Sequence, residues 1–233
     1  MVIATSKLIF PAVRTAVLPP GPPLLQVVVD TEEEFDWAAP FNRASTATTA
    51  IAAQGLAQAI FTPYGLRPTY VIDYPVATTP SAIAVLKGFR DAGQCQIGAH
   101  LHPWVTPPHD EAVNDVNSYA GNRHPTLERV KIARLTAAIT ENFDAAPIIF
   151  KAGRYGLGSQ TAATLAELGY RGAESNVRTI RYWRCGFERS LIHTAVLMIP
   201  RTTRQIQKST TIPRSIRRAT CRAGAGRYDM VRK

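Results

Sequence analysis

Between Leu24 and Ser175 the apolar positions fall into short solid runs, separated by longer stretches in which they recur every three or four residues. Leu24–Asp30 (LLQVVVD) is a continuous apolar run closing on an acid, the pattern of a strand buried on both faces. Ser45–Tyr64 is alanine-rich, with Ile51, Leu56, Ile60 and Phe61 at helical spacing and Gly65 as its stop. Pro68–Asp73 (PTYVID) predicts a second strand, Pro80–Ala92 a helix ended by Gly93, and Cys95–His100 (CQIGAH) a third strand. Thr126–Phe143 is the clearest amphipathic helix, with Leu127, Val130, Ile132, Leu135, Ile139 and Phe143 near one face. Pro147–Lys151 (PIIFK) predicts a fourth strand, Ser159 caps a helix running through Leu168, and Tyr170–Ser175 begins a fifth strand.

Strands alternating with helices of this length build parallel β/α units. Such units close into a barrel or open into a doubly wound sheet, and periodicity alone favours neither. Asp30, Asp73, His100 and Lys151 all fall at or just past the C-terminal ends of predicted strands, the face that carries chemistry in β/α barrels. No Gly-x-Gly-x-x-Gly follows the first strand, which counts against a dinucleotide fold.

Past Asn176 the pattern stops. Arg178–Arg189 and Arg201–Arg232 mix Arg, Thr, Ser and Pro without helical or strand period. Charge marks the same seam: residues 1–176 hold 13 Lys+Arg against 15 Asp+Glu, residues 177–233 hold 14 against 2, and the net of +10 is therefore a property of the last quarter. The expected organisation is an N-terminal extension (1–23), one α/β domain (24–176) and a poorly ordered basic tail (177–233). A basic tail suits nucleic acid, but only Tyr182-Trp183 offers stacking and no nucleic-acid-binding motif is present.

The 3 scattered cysteines suggest neither a disulfide framework nor a zinc knuckle. No apolar run is long enough to span a bilayer. Prolines at 11, 19, 20, 22 and 23 break up the N-terminus, which has no clean apolar stretch with a small-residue cleavage site. The expectation is a cytoplasmic chain without a membrane partner.

Three clusters carry candidate chemistry. Asp30-Thr31-Glu32-Glu33-Glu34-Phe35-Asp36-Trp37 places five acids within seven residues after a buried strand. They repel one another unless a cation compensates, so the run is either a hard-ligand metal site with a general base or a solvated acidic loop. In Gly98-Ala99-His100-Leu101-His102-Pro103-Trp104 the two histidines, at i and i+2 on an extended segment, point to one side and can reach one ion. A carboxylate plus two imidazoles is a common catalytic zinc set that leaves a position open for water. Lys151-Ala152-Gly153-Arg154-Tyr155-Gly156-Leu157-Gly158 sets glycines beside two cations, which suits a loop whose backbone N–H groups approach a ligand, or a plain strand-to-helix turn.

In this order the three clusters resemble the polysaccharide deacetylase family (NodB homology domain), and within it a variant subgroup marked by DTEEEFDW, GAHLHPW and (R/K)AGRYG. These stand here as Asp30–Trp37, Gly98–Trp104 and Lys151–Gly156, with Arg67–Ala77 (RPTYVIDYPVA) also similar. The resemblance covers roughly Leu24 to Ser175. It implies an incomplete (β/α) barrel of the polysaccharide deacetylase type, truncated after about five β/α units. The implied activity is metal-dependent hydrolysis of acetyl groups from a polysaccharide or amino sugar, at a carbon–nitrogen bond that is not a peptide bond. It further implies Asp30 as the base and Glu32, His100 and His102 as ligands of a divalent metal, expected to be zinc. Thr31 stands where the family has its second Asp, which shifts the metal-binding acid to Glu32. The family's histidine spacing is His-x-x-x-His, and Trp104 occupies the distal place here. Lys151 or Arg154 would orient Asp30, and the Tyr155 amide would face the oxyanion. The implied partner is an acetylated polysaccharide or oligosaccharide.

The family's later acid-supplying motif has no clear match, since His193 follows Ile192 rather than Leu. Back-translated and shifted by one base, Arg181–Arg189 permits Asp-Thr-Gly-Gly-Ala-Asp-Leu-Ser, close to a run this subgroup carries there. The tail thus resembles a frameshifted or truncated version of the family sequence. Two other readings stand beside the hydrolase: a non-catalytic carbohydrate-binding relative, and nucleic-acid binding through the basic tail.

Overall fold

The computed structural model describes residues 25–175 and 195–198. The N-terminal extension and the tail, including His193 and Arg181–Arg189, lie outside them apart from Ala195–Met198.

The sheet contains β1 (Val28–Thr31), β2 (Thr69–Ile72), β3 (Gln96–Leu101), β4 (Ile149–Ala152), β5 (Gly172–Ser175) and β6 (Ala195–Met198), in that spatial order. The first five pair in parallel and β6 adds antiparallel to β5. A doubly wound sheet reverses its order at a switch point, where the crevice forms. Here each strand lies beside its predecessor without reversal, so the five parallel strands form an arc of a β/α barrel. The alternative left open by periodicity is thereby decided. β6 is a departure from expectation, because it gives ordered pairing to four residues of the segment read as outside the fold.

Helices α1 (Gln54–Phe61), α2 (Tyr74–Thr78), α3 (Pro80–Asp91), α4 (Asp115–Ser118), α5 (Pro125–Phe143) and α6 (Thr161–Glu167) fill the connections. Among the described residues no helix is long and apolar enough to cross a membrane. Register explains which side chains go where. Paired residues of parallel strands face the same way, and successive residues alternate. Asp30 aligns with Val71 and Gly98, and His100, two residues beyond Gly98, aligns with Lys151 and Glu174. These positions therefore share the concave face. Tyr70, Ile72, Ile97, Ala99, Leu101 and Phe150 point the other way and pack with Leu86, Ile132, Leu135, Ile139, Phe143 and Leu165 from the helices. Each large apolar side chain buried there contributes about 1.5–3 kcal/mol.

Two helical faces differ from the pattern. Leu56 and Ile60 are 75% and 65% exposed, whereas Gln58 is buried and accepts a hydrogen bond from the Tyr70 hydroxyl at 2.8 Å. Only Ile51, at the head of the segment, joins the core as predicted. On α5, Val130 lies at the surface while Glu128 and Lys131 are buried. Both charged residues reach specific partners inward, Glu128 the Thr161 hydroxyl and Lys131 the loop after β3, and those partners outweigh the apolar spacing. Helix α6 starts at Thr161 rather than under a Ser159 cap, and the Thr161 hydroxyl accepts from the Gly158 N–H at 2.7 Å.

Candidate metal centre

All seven residues singled out by the sequence, Asp30, Glu32, His100, His102, Lys151, Arg154 and Tyr155, line one cleft at the C-terminal ends of β1, β3 and β4, together with Trp37 and Ala152. The strand ends deliver them: Asp30 from β1, His100 from β3 with His102 just beyond, and Lys151 from β4.

Glu32, His100 and His102 converge. Glu32 Oε2 lies 3.1 Å from His100 Nε2 and 3.4 Å from His102 Nε2. Two donors each about 2.0–2.2 Å from a tetrahedral ion stand about 3.3 Å apart. The spacing therefore suits a single divalent cation. The protonation states suit it as well. Burial pushes the His102 imidazole below its ordinary range, which favours the neutral ring that a metal requires. Burial alone would raise Glu32, but the hydrogen bond from His100, with the positive Lys151 nearby, outweighs it and holds the carboxyl low. One carboxylate oxygen and two imidazole nitrogens form a zinc-type donor set with a fourth position left over.

Asp30 stands beside this group. The Lys151 ammonium donates to both of its carboxylate oxygens at 2.7 Å. Burial works to lower Lys151, but the Asp30 hydrogen bond and charge override it and the amine is raised, hence fully charged at neutral pH. The Asp30 side chain keeps 40% exposure and stays open to the cleft.

Of the two cations offered as partners for Asp30, only Lys151 reaches it. Arg154 turns away to pair with Asp115 at 2.7 Å, donates to the Ser118 hydroxyl, and lies 4.1 Å from the Tyr119 ring and 5.1 Å from the Phe41 ring. It fastens the loop after β4 to α4. That loop is conformationally costly: Arg154 and Tyr155 both adopt positive φ, at 53° and 57°. Gly153 is required for a different reason. A Cβ there would sit 2.6 Å from His102 Cδ2, so any larger residue would drive the loop off the imidazole.

Two acids that the sequence reading named but gave no role of their own lie behind the site. Glu33 is buried, with Oε2 2.8 Å from His102 Nδ1, and its backbone N–H donates to Asp73 Oδ2 at 2.8 Å. Asp73 is fully buried and caps α2 by accepting from the Val76 N–H at 2.9 Å. Burial raises Glu33 to about 7, and burial with the neighbouring Glu33 drives Asp73 well above its usual range. Membership of the acidic run was a weak signal for Glu33, and a strand-end position was the corresponding signal for Asp73. Nothing in the sequence pairs the two.

Trp104 is 1% exposed and stacks on His102 with centroids 4.3 Å apart. Trp37 is 57% exposed at the lip of the cleft, edge-on to Phe35 at 5.2 Å. Lys131 Nζ donates to the carbonyls of Pro103, Thr106 and Pro108, and so ties the loop bearing His102 and Trp104 to α5.

No family model and no curated protein matches the chain. Solved structures similar to it include a family 4 acetyl xylan esterase from Clostridium thermocellum in complex with a cobalt ion. That likeness is at 16% identity and TM-score 0.39, over 60% of this chain and 54% of that one. The BpsB deacetylase domain from Bordetella bronchiseptica is similar at 12% identity and TM-score 0.39, over 63% of this chain and 62% of that one. IcaB from Ammonifex degensii is similar at 14% identity and TM-score 0.38, over 50% and 52%. The chain spans between about half and three-fifths of the length of these structures.

Proposed function

We propose that the chain is a metal-dependent hydrolase that removes acetyl groups from a polysaccharide or amino-sugar substrate. The carrying observation is the juxtaposition in one cleft of a lysine-paired carboxylate, Asp30, with a convergent Glu32–His100–His102 donor set. The proposed ligands of one divalent cation, zinc in the first instance, are those three residues. A bound cation there supplies Lewis acidity, polarising an acyl oxygen and making a water molecule more acidic. Asp30 is the proposed general base: it takes the proton from the attacking water, and Lys151 holds both its oxygens so that the carboxylate keeps one orientation. The Tyr155 backbone N–H is the proposed donor to the oxyanion that develops at the acetyl carbonyl. Arg154 acts at one remove, holding the loop on which Tyr155 sits. The domain is proposed to run from 24 to 176, with 177–233 a basic segment that its charge balance sets apart, although its β6 pairs with β5.

The test is acetate release from an acetylated chitooligosaccharide by the full chain loaded with zinc or cobalt. Release abolished by a chelator and by His100→Ala supports the reading. No release from metal-loaded chain contradicts it, and sugar binding that survives both treatments would instead make the chain a non-catalytic carbohydrate binder.

A further inference from the structure

The two histidines are not held alike. His102 is constrained on three sides. Its Nδ1 meets Glu33 Oε2 at 2.8 Å, its ring stacks on buried Trp104 at 4.3 Å, and the Gly153 loop closes against its Cδ2 edge. Glu33 is in turn fixed by its backbone N–H to Asp73, whose other oxygen caps α2. The His102 and Glu33 side chains are 1% and 0% exposed, so water does not compete for that bond. His100 offers the contrast: its Nδ1 is buried with no hydrogen-bond partner among the described residues.

We infer that Glu33, seated by Asp73, is a positioning residue that holds His102 with its proton on Nδ1 and its Nε2 lone pair turned toward Glu32. A neutral imidazole carries one N–H and one lone pair, and the ionised Glu33 carboxylate against Nδ1 can only accept, so in that form the proton sits there and Nε2 is left to ligate. Carboxylates behind ligating histidines act in this way, and removing them weakens metal binding about 10–100-fold. His102 is then the preorganised arm of the centre and His100 the adjustable one. The chain of contacts runs from the N-terminus of α2 through Asp73 and Glu33 to the ring, so a short helix outside the cleft helps to aim a ligand within it. This inference rests on the metal-centre reading for its purpose, though not for its geometry.

The experiment uses the full chain in two forms. In metal-free protein held well above pH 7, where Glu33 is ionised, ¹⁵N NMR of the imidazoles reports the tautomer directly: His102 is expected with Nδ1 protonated and Nε2 bare. In Glu33→Leu that preference is lost, and zinc affinity measured by chelator competition falls about 10–100-fold. In Glu33→Gln, whose amide oxygen can still accept, both readouts stay within about threefold of wild type. A wild-type proton on Nε2 overturns the inference without recourse to any variant, so a Glu33→Leu chain that fails to fold does not shield it. Unchanged zinc affinity in a folded Glu33→Leu chain also overturns it. So does a stoichiometry of two ions in wild type falling to one in Glu33→Leu, which would make Glu33, Asp73 and His102 a second cation site. Wild-type protein that binds no ion contradicts the metal-centre reading, while the metal-free tautomer still tests the Glu33 contact.

Discussion

Replacing Lys131 with methionine removes the ammonium that ties the His102 loop to α5. Methionine fills nearly the same volume, so little cavity opens and the loss is electrostatic. In the wild type the ammonium is fully buried, donates at 2.9 Å to the Pro103 carbonyl and 2.6 Å to that of Pro108, reaches Thr106 as well, and lies 3.1 Å from Glu111. Burial disfavours the charged amine and lowers it, and the hydrogen bond and charge of Glu111 pull the other way. Deleting the cation leaves three carbonyls without their donor and Glu111 with Arg123, at 3.1 Å, as its remaining ion partner. Breaking a buried ion pair from one side costs about 3–5 kcal/mol. That is a large share of the ~5–15 kcal/mol that holds a domain together. At about 2–4 °C per kcal/mol for a chain of this size, Lys131→Met should lower the melting temperature by roughly 10 °C. Circular dichroism melts of wild type and variant at one pH measure it. A drop under about 2 °C would show that the loop is held by something other than Lys131 and would refute the reasoning.

Further outcomes follow from the same geometry. Lys151→Met should cut acetate release by about 10²-fold while zinc affinity stays within a few-fold, because Lys151 holds Asp30 and not the donor set; equal losses in both would contradict that division. Metal-free stability should fall as pH rises between 4.5 and about 7, since the folded chain keeps on Glu33 a proton that the unfolded chain releases. Burial of neutral His102 acts in the opposite sense, lowering stability as pH drops below 6.5. Comparing wild type with Glu33→Gln across pH 5–8 isolates the first effect, and parallel melting profiles would count against it. Trp37→Ala should raise KM for an oligosaccharide with kcat largely retained, because Trp37 lies on the lip of the cleft, meets His102 only edge-on at 6.4 Å and is not among the proposed donors; unchanged KM would place the sugar elsewhere.

The strands and the seven cleft residues were legible because both depend on local pattern. A solid apolar run predicts a buried strand, and residues at strand ends gather on one face whatever the helices do. What stayed hidden depends on partners distant in sequence. Apolar spacing put Leu127 and Val130 on the inner face of α5, but Lys131 and Glu128 are buried because carbonyls 23–28 residues upstream and a hydroxyl 33 residues downstream receive them. Leu56 and Ile60 have helical spacing, yet the inward position goes to Gln58, which meets Tyr70. Arg154 and Lys151 look equivalent as cations near a tyrosine, yet with a positive φ at 154 the guanidinium pairs with Asp115 at the cleft wall while the Lys151 ammonium reaches Asp30. The Glu33–Asp73 contact spans 40 residues. Strand β6 stands in a short apolar run of its own, Ala195–Ile199 (AVLMI), which the aperiodic basic stretches on either side obscured.

The central claim is that Glu32, His100 and His102 grip one cation. Zinc titration of the metal-free full chain by calorimetry, with X-ray absorption on the loaded protein, tests it most directly. The account predicts one ion per chain with two imidazole nitrogens in its coordination shell, and loss of that binding in both His100→Ala and His102→Ala. Absence of stoichiometric binding, or an ion retained with no histidine among its ligands, would contradict it.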